Sequence, residues 1–148
     1  MDSIEELDHL KTKILKYILY KKRTEKEIRQ KFNKEDENML EDAIEYLKEA
    51  GYINDQNYIE RSIQEMMALH NLSLKEMNYK LFAKGISKEQ WEDYLSTHAE
   101  ELTDYEIQSA KNILYKKRER MELDEITNYL YKKGYLEETV RIAKEQCE

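Results

Sequence analysis

Residues 51–86 read GYINDQNYIERSIQEMMALHNLSLKEMNYKLFAKGI, and this stretch decides the fold. It opens on a turn, Gly51-Tyr52-Ile53-Asn54-Asp55, and closes on a second one, Gly85-Ile86. Glycine suits the residue after a helix, where φ turns positive and a Cβ would be strained. Asn54 or Asp55 can then cap the next helix by accepting its free N–H groups. Between the turns, Ile59, Ile63 and Met66 fall at helical spacing. Ser73-Leu74-Lys75-Glu76 has the form of a capping box, and Leu74, Met77 and Leu81 line the helix it starts.

Upstream, the same plan appears once. Leu7, Leu10, Ile14 and Ile18 mark an amphipathic helix that runs into Lys21-Lys22-Arg23. Thr24-Glu25-Lys26-Glu27 is a second capping box, followed by Ile28 and Phe32 on one face and a break at Asn33. Leu40, Ala43, Ile44 and Leu47 form the apolar side of a third helix that stops at Gly51. Downstream, Ser87 or its neighbour starts a helix with Trp91 and Leu95. A last group begins near Thr103-Asp104. It has Ile107, Ala110 and Leu114, then Leu123, Ile126 and Leu130, then Leu136, Val140, Ala143 and Cys147 beyond Gly134-Tyr135.

These groups repeat. Ile28, Met77 and Ile126 stand 49 residues apart, as do Phe32, Leu81 and Leu130. The string ILYKKR occurs at Ile18–Arg23 and again at Ile113–Arg118. The expected fold is all-α: a tandem array of three three-helix units with a period of about 49 residues, elongated and curved. The units are expected over 1–53, 54–102 and 103–148, and no Gly/Pro/Ser-rich linker separates them. Units this small bury little surface alone, so neighbours should pack.

Composition agrees with helices. The chain has 148 residues, no Pro and 39% charged side chains, so nothing in it breaks a helix outright. The formal net charge is −7. A protein held to DNA chiefly through phosphates is usually basic, so autonomous tight DNA binding is not expected. Cys147 is the one cysteine, which excludes an intramolecular disulfide. MDSIEELDHL lacks the basic start and apolar run of a secretory leader, and no stretch has the length of a membrane span. The expectation is a cytoplasmic monomer.

Catalytic patterns are missing. His9, His70 and His98 have no ligand spacing, and Ser and Thr sit at caps without a base to activate them. No enzyme, metal or cofactor is expected. The candidate partner-binding residues are the basic clusters: Lys21, Lys22 and Arg23; Lys116, Lys117, Arg118 and Arg120; and Lys132 and Lys133. They either complement helix C-termini or touch an acidic partner surface or the phosphates of a bound strand. Tyr20, Tyr79, Tyr115, Tyr129 and Tyr131 lie near cations. They can stack bases, but helical spacing favours a place at the core edge. Trp91 is expected in the core.

The opening stretch resembles the RecX family of bacterial recombinase regulators. The matching residues are Gly51, Tyr52, Ile53, Asn54 and Asp55, then Tyr58 and Arg61, then Lys84-Gly85-Ile86. The family's middle helix pair is usually rich in Arg and often holds a Gly, whereas MMALHNLSLKEM has neither. The resemblance implies tandem three-helix repeats and a protein that binds the RecA–DNA filament, lowering strand exchange and ATP hydrolysis. It also allows weak contact with single-stranded DNA. Arg61 then becomes a partner contact or a structural residue pairing with an acid beside the turn, the second being preferred. Two other classes stay open. Residues 24–55 have the outline of a winged-helix or helix-turn-helix transcription regulator, although Glu35, Asp36, Glu37, Glu41, Asp42 and Glu45 would set acids against phosphates. A helical protein–protein adaptor also fits.

Overall fold

The first six helices begin where a side chain takes one of the first free N–H groups, whereas α7, α8 and α9 start without a capping side chain of their own. In the computed structural model, which describes residues 2–147, Asp2 caps α1 (Ser3–Tyr20) and Thr24 caps α2 (Glu25–Lys31) with the full reciprocal box. Asp36 caps α3 (Glu37–Glu49), accepting from the Met39 N–H at 2.9 Å. Asn54 starts α4 (Asp55–Leu69), accepting from the Asn57 N–H at 3.0 Å. Ser73 and Glu76 make the second reciprocal box at α5 (Leu74–Ala83), and Ser87 and Gln90 a third at α6 (Lys88–Thr97). Then come α7 (Ala99–Lys117), α8 (Leu123–Lys133) and α9 (Glu137–Gln146). The described residues contain no strand, so the all-α expectation holds.

Contacts divide the chain into two units. One runs through Glu60 and includes Lys84–Ile86. In it α1 packs on α3, and Leu10, Ile14, Ile28, Leu40, Ala43, Ile44, Leu47 and Ile53 form the core. Tyr17 meets Phe32 edge-on at that core's margin. Truncating a residue such as Ile44, which is fully buried, removes roughly 2–5 kcal/mol. Gly51 (φ +84°) ends the α3 stretch, and the Tyr52 and Ile53 N–H groups both return to the Leu47 carbonyl.

The other unit holds Arg61–Ala83 and the chain from Ser87 onward. Here α7 packs most extensively on α9, and α8 packs on both. Ala110, Ile113, Leu114, Ile126, Leu130, Tyr135, Val140 and Ala143 form its core, with Cys147 at the edge. Trp91 is buried as expected; beside it in sequence Tyr94 is buried and Leu95 only half-buried. The helix expected to start near Thr103-Asp104 begins earlier, at Ala99. Leu123 and Leu136, both read as core, are exposed because they stand at the first residue of α8 and the cap of α9.

One joint recurs in both units. In the first, the Thr24 hydroxyl donates to the Lys84 carbonyl, and the Glu25 N–H donates to the Asp55 carboxylate at 2.9 Å. In the second, the Ser73 hydroxyl donates to the Lys133 carbonyl at 2.7 Å, and the Leu74 N–H donates to the Glu106 carboxylate at 2.8 Å. Ser73 follows Thr24 by 49 residues, and Lys133 follows Lys84 by 49. The glycines that follow the two carbonyls, Gly85 and Gly134, both have positive φ. A Cβ would stand 2.7 Å from the Lys26 Cβ at the first and 2.8 Å from the Lys75 Cδ at the second. Each turn is thus glycine for two reasons, its dihedral and the stem of a lysine lying across it.

Candidate partner-binding surface

The first basic cluster lies just beyond α1. That helix closes at Tyr20, and Lys21 is its extended cap, so these cations do not occupy the last helical turn. Lys21 is exposed and has no side-chain partner among the described residues. Lys22 donates to the Asn57 side chain at 2.7 Å. Arg23 lies over the Tyr17 ring, 4.4 Å from its centroid, and reaches Glu27 only at 4.0 Å. Its Nε is sealed from solvent without a hydrogen-bond acceptor. Lys22 and Arg23 also line a cavity of about 160 Å³ with Gly51, Tyr52 and Asn54, in the turn that carries the family resemblance.

In the second unit the fold brings two clusters together. Lys117 and Lys133 both stand over the Tyr129 ring, at 4.4 and 5.6 Å, and Lys133 also pairs with Glu76 at 3.3 Å. Arg118 stacks over Tyr115 at 4.5 Å. Lys116 and Lys117 occupy the last turn of α7, and Lys132 and Lys133 that of α8, where cations meet the negative end of the helix dipole. Lys116, Arg120 and Lys132 are exposed and make no ion pair among the described residues.

Arg61 departs from the preferred reading. It is exposed on α4 and pairs with no acid among the described residues, so it is not a structural ion-pair partner there. The tyrosines divide as well. Tyr129 is half-buried, as a core-edge residue should be, but Tyr20 and Tyr79 are 87% and 77% exposed and belong to the surface.

Glu41 of α3 and Glu25 of α2 are partly neutralised. Arg29 donates to Glu41 at 2.8 Å and to Glu25 at 3.0 Å, and Lys48 reaches Glu25 at 3.0 Å. Burial works against the Glu25 charge, yet hydrogen bonds from Lys48 and Arg29 hold its carboxyl below the usual range. Glu37 and Asp42 remain exposed on α3.

Sequence reading missed a buried polar network. Glu106 is fully buried and accepts from the Leu74 N–H, the Leu136 N–H (3.2 Å) and the Thr139 hydroxyl (2.7 Å). One carboxylate therefore serves the starts of both α5 and α9, where negative charge is favoured. Beside it the Tyr105 hydroxyl and the Ser109 hydroxyl donate to the Leu72 carbonyl, at 2.8 and 3.1 Å, and the Tyr135 hydroxyl then donates to Ser109. Burial pushes both phenols above their ordinary value. The only signal in the sequence was one acid set among Tyr105, Ile107 and Ala110 on an apolar face.

No His, Cys, Asp and Glu among the described residues cluster in a way that could hold a metal, and no described helix is long and apolar enough to cross a membrane. No family model matches the chain. Curated relatives do. It is 28% identical to the regulatory protein RecX of Staphylococcus carnosus over its whole length, and 34% identical to that of Finegoldia magna over 82% of it. The chain is RecX-like. It spans 58% and 63% of the length of those two relatives. The crystal structure of RecX from Lactobacillus salivarius superposes with a TM-score of 0.81 at 21% identity, covering 97% of each chain. A second RecX crystal structure gives 0.76 over 97% of this chain and 75% of its own. The RecX-like chain therefore shares its fold with solved RecX proteins.

Proposed function

We propose that this RecX-like chain is a regulator, not a catalyst, and that it binds the RecA–DNA filament in the cytoplasm and lowers its ATP hydrolysis and strand exchange. The observation that carries the reading is the sequence similarity to curated RecX proteins over most of the chain. The chain is built as three repeats, over 1–53, 54–102 and 103–148, and acts as a monomer. The joint that recurs 49 residues later supports that division. Repeat-related cations give several weak contacts, and their sum raises avidity without any single strong site.

The cations suited to contact are those the fold leaves available: Lys21, Arg61, Lys116, Arg120 and Lys132. Lys22, Arg23, Lys117, Arg118 and Lys133 back them from positions held by Asn57, Tyr17, Tyr129, Tyr115 and Glu76. Any contact with single-stranded DNA is secondary, given the net charge of −7.

Co-sedimentation with RecA–single-stranded-DNA filaments tests the assignment of residues. Lys21→Glu, Lys116→Glu and Lys132→Glu together should weaken binding about tenfold at moderate salt, while rising salt weakens the native chain. Unchanged binding by the triple variant would remove these cations from the interface.

A further inference from the structure

Helix α5 carries a buried apolar face and, beside it, an exposed stripe of two aromatics with a lysine and an asparagine. Met77 and Leu81 face the core and are buried. Lys75, Asn78, Tyr79 and Phe82 follow the i, i+3, i+4, i+7 pattern and make a second stripe. This stripe, with Lys88, lines a groove of about 250 Å³. Tyr79 is 77% and Phe82 61% exposed, so the aromatics form the groove's surface and are not part of the core. Among the described residues no carboxylate lines it.

An internal comparison indicates that the fold does not need these aromatics. The caps Thr24 and Ser73 hold the same place in the recurring joint. Counted from those caps, the residues matching Tyr79 and Phe82 are Gln30 and Asn33. The first unit thus makes the same joint with polar residues at both positions. Lys75 is fixed, since its stem lies across Gly134. Lys88 touches Glu92 only at 3.8 Å, with 81% of its own side chain exposed, so its charge is available.

The geometry points to this groove as a docking site for an acidic peptide segment of a partner protein, one with an aromatic or aliphatic anchor flanked by carboxylates. The anchor lies on Tyr79 and Phe82, and the carboxylates meet Lys75 and Lys88. Charge complementarity selects that occupant. Two amines without arginine make a poor track for a nucleic-acid backbone, whose binding needs many cations. A second copy of this chain would bring its own charge of −7 against ours. The inference does not depend on the recombinase reading.

The test is a selection from a random dodecapeptide display library on the whole protein, followed by fluorescence anisotropy with the enriched peptides. The expected sequences carry an apolar anchor between acids. Tyr79→Ser with Phe82→Ser should weaken them at least tenfold, and Lys88→Glu about three- to tenfold, with far-UV circular dichroism unchanged because these side chains are exposed. Peptides that bind the double variant as well as the native chain would overturn the proposal. So would a labelled oligo-dT that loses binding in the double variant while the peptides do not, which would make the groove a nucleic-acid surface. Self-association of the native chain, abolished in the double variant, would make it a contact between copies and equally overturn the proposal.

Discussion

Replacing Glu106 by Gln probes the second unit at its most connected polar group. The carboxylate is fully buried and takes three donors: Leu74 N–H at 2.8 Å on one oxygen, and Thr139 Oγ1 at 2.7 Å and Leu136 N–H at 3.2 Å on the other. Gln has the same shape but one acceptor. With its oxygen toward Thr139 and Leu136, those bonds persist without charge assistance, at roughly half their strength. The amide NH2 then faces the Leu74 N–H, donor against donor. Leaving that buried N–H unpaired costs about 1–3 kcal/mol, and the two weakened bonds add about 1. Removing a buried charge returns part of its desolvation cost, so the net expectation is a loss of about 2 kcal/mol. Against a typical domain stability of about 5–15 kcal/mol, the variant folds and the loss is measurable. Urea unfolding followed by far-UV circular dichroism and by the fluorescence of Trp91, the single tryptophan, reads it. Glu101→Gln, an exposed control on the same helix, should stay within about 0.5 kcal/mol. A loss for Glu106→Gln as small as the control's would refute the claim that this carboxylate holds two helix starts.

The glycines give a graded prediction: Gly51→Ala should cost about 1 kcal/mol from its positive φ alone, since nothing lies near its Cβ position. Gly85→Ala should cost about 3, because its Cβ would also meet the Lys26 stem and the Thr24 hydroxyl; equal losses in chemical denaturation would refute the contact argument. Ser73→Ala should cost about 1–3 kcal/mol by the same assay, since it removes a cap and leaves the Lys133 carbonyl without its donor. High pH should destabilise the fold through Tyr105 and Tyr135. Burial raises both phenols, so their contribution is whole below the ordinary tyrosine value of about 10, and it falls as pH rises from there toward the folded value. Melting temperatures on either side of that value check this, and an alkaline midpoint unchanged in Tyr105→Phe would speak against it.

Much of this was legible in the residues because the signals were local. Thr24 and Glu27, and Ser73 and Glu76, stand three apart and made the reciprocal caps their spacing predicts. Leu40, Ala43, Ile44 and Leu47 kept helical spacing and all went inside. What escaped depended on partners distant in sequence. Glu106 reads as one more acid in a chain with 32 of them, and only the fold brings Leu74, Leu136 and Thr139 to it. Arg61 lies on a recognised motif, yet nothing in a sequence says that it pairs with no acid among the described residues. The sequence puts the start of α7 late, near Thr103-Asp104, because neither Gly nor Pro marks the junction at His98, which both ends α6 and precedes α7. Of the candidate contacts, the clusters were visible as charge runs, but their division into available and held cations was not. It rests on Tyr17, Tyr115 and Tyr129, whose rings take Arg23, Arg118, Lys117 and Lys133.

The central claim is regulation of the recombinase, and ATP hydrolysis by the cognate RecA on single-stranded DNA, titrated with the folded RecX-like chain, tests it most directly. Regulation of this kind gives a dose-dependent fall at or below equimolar protein, weakened by salt and by the Lys21, Lys116 and Lys132 reversals. Hydrolysis that stays constant through an excess of folded protein would contradict it.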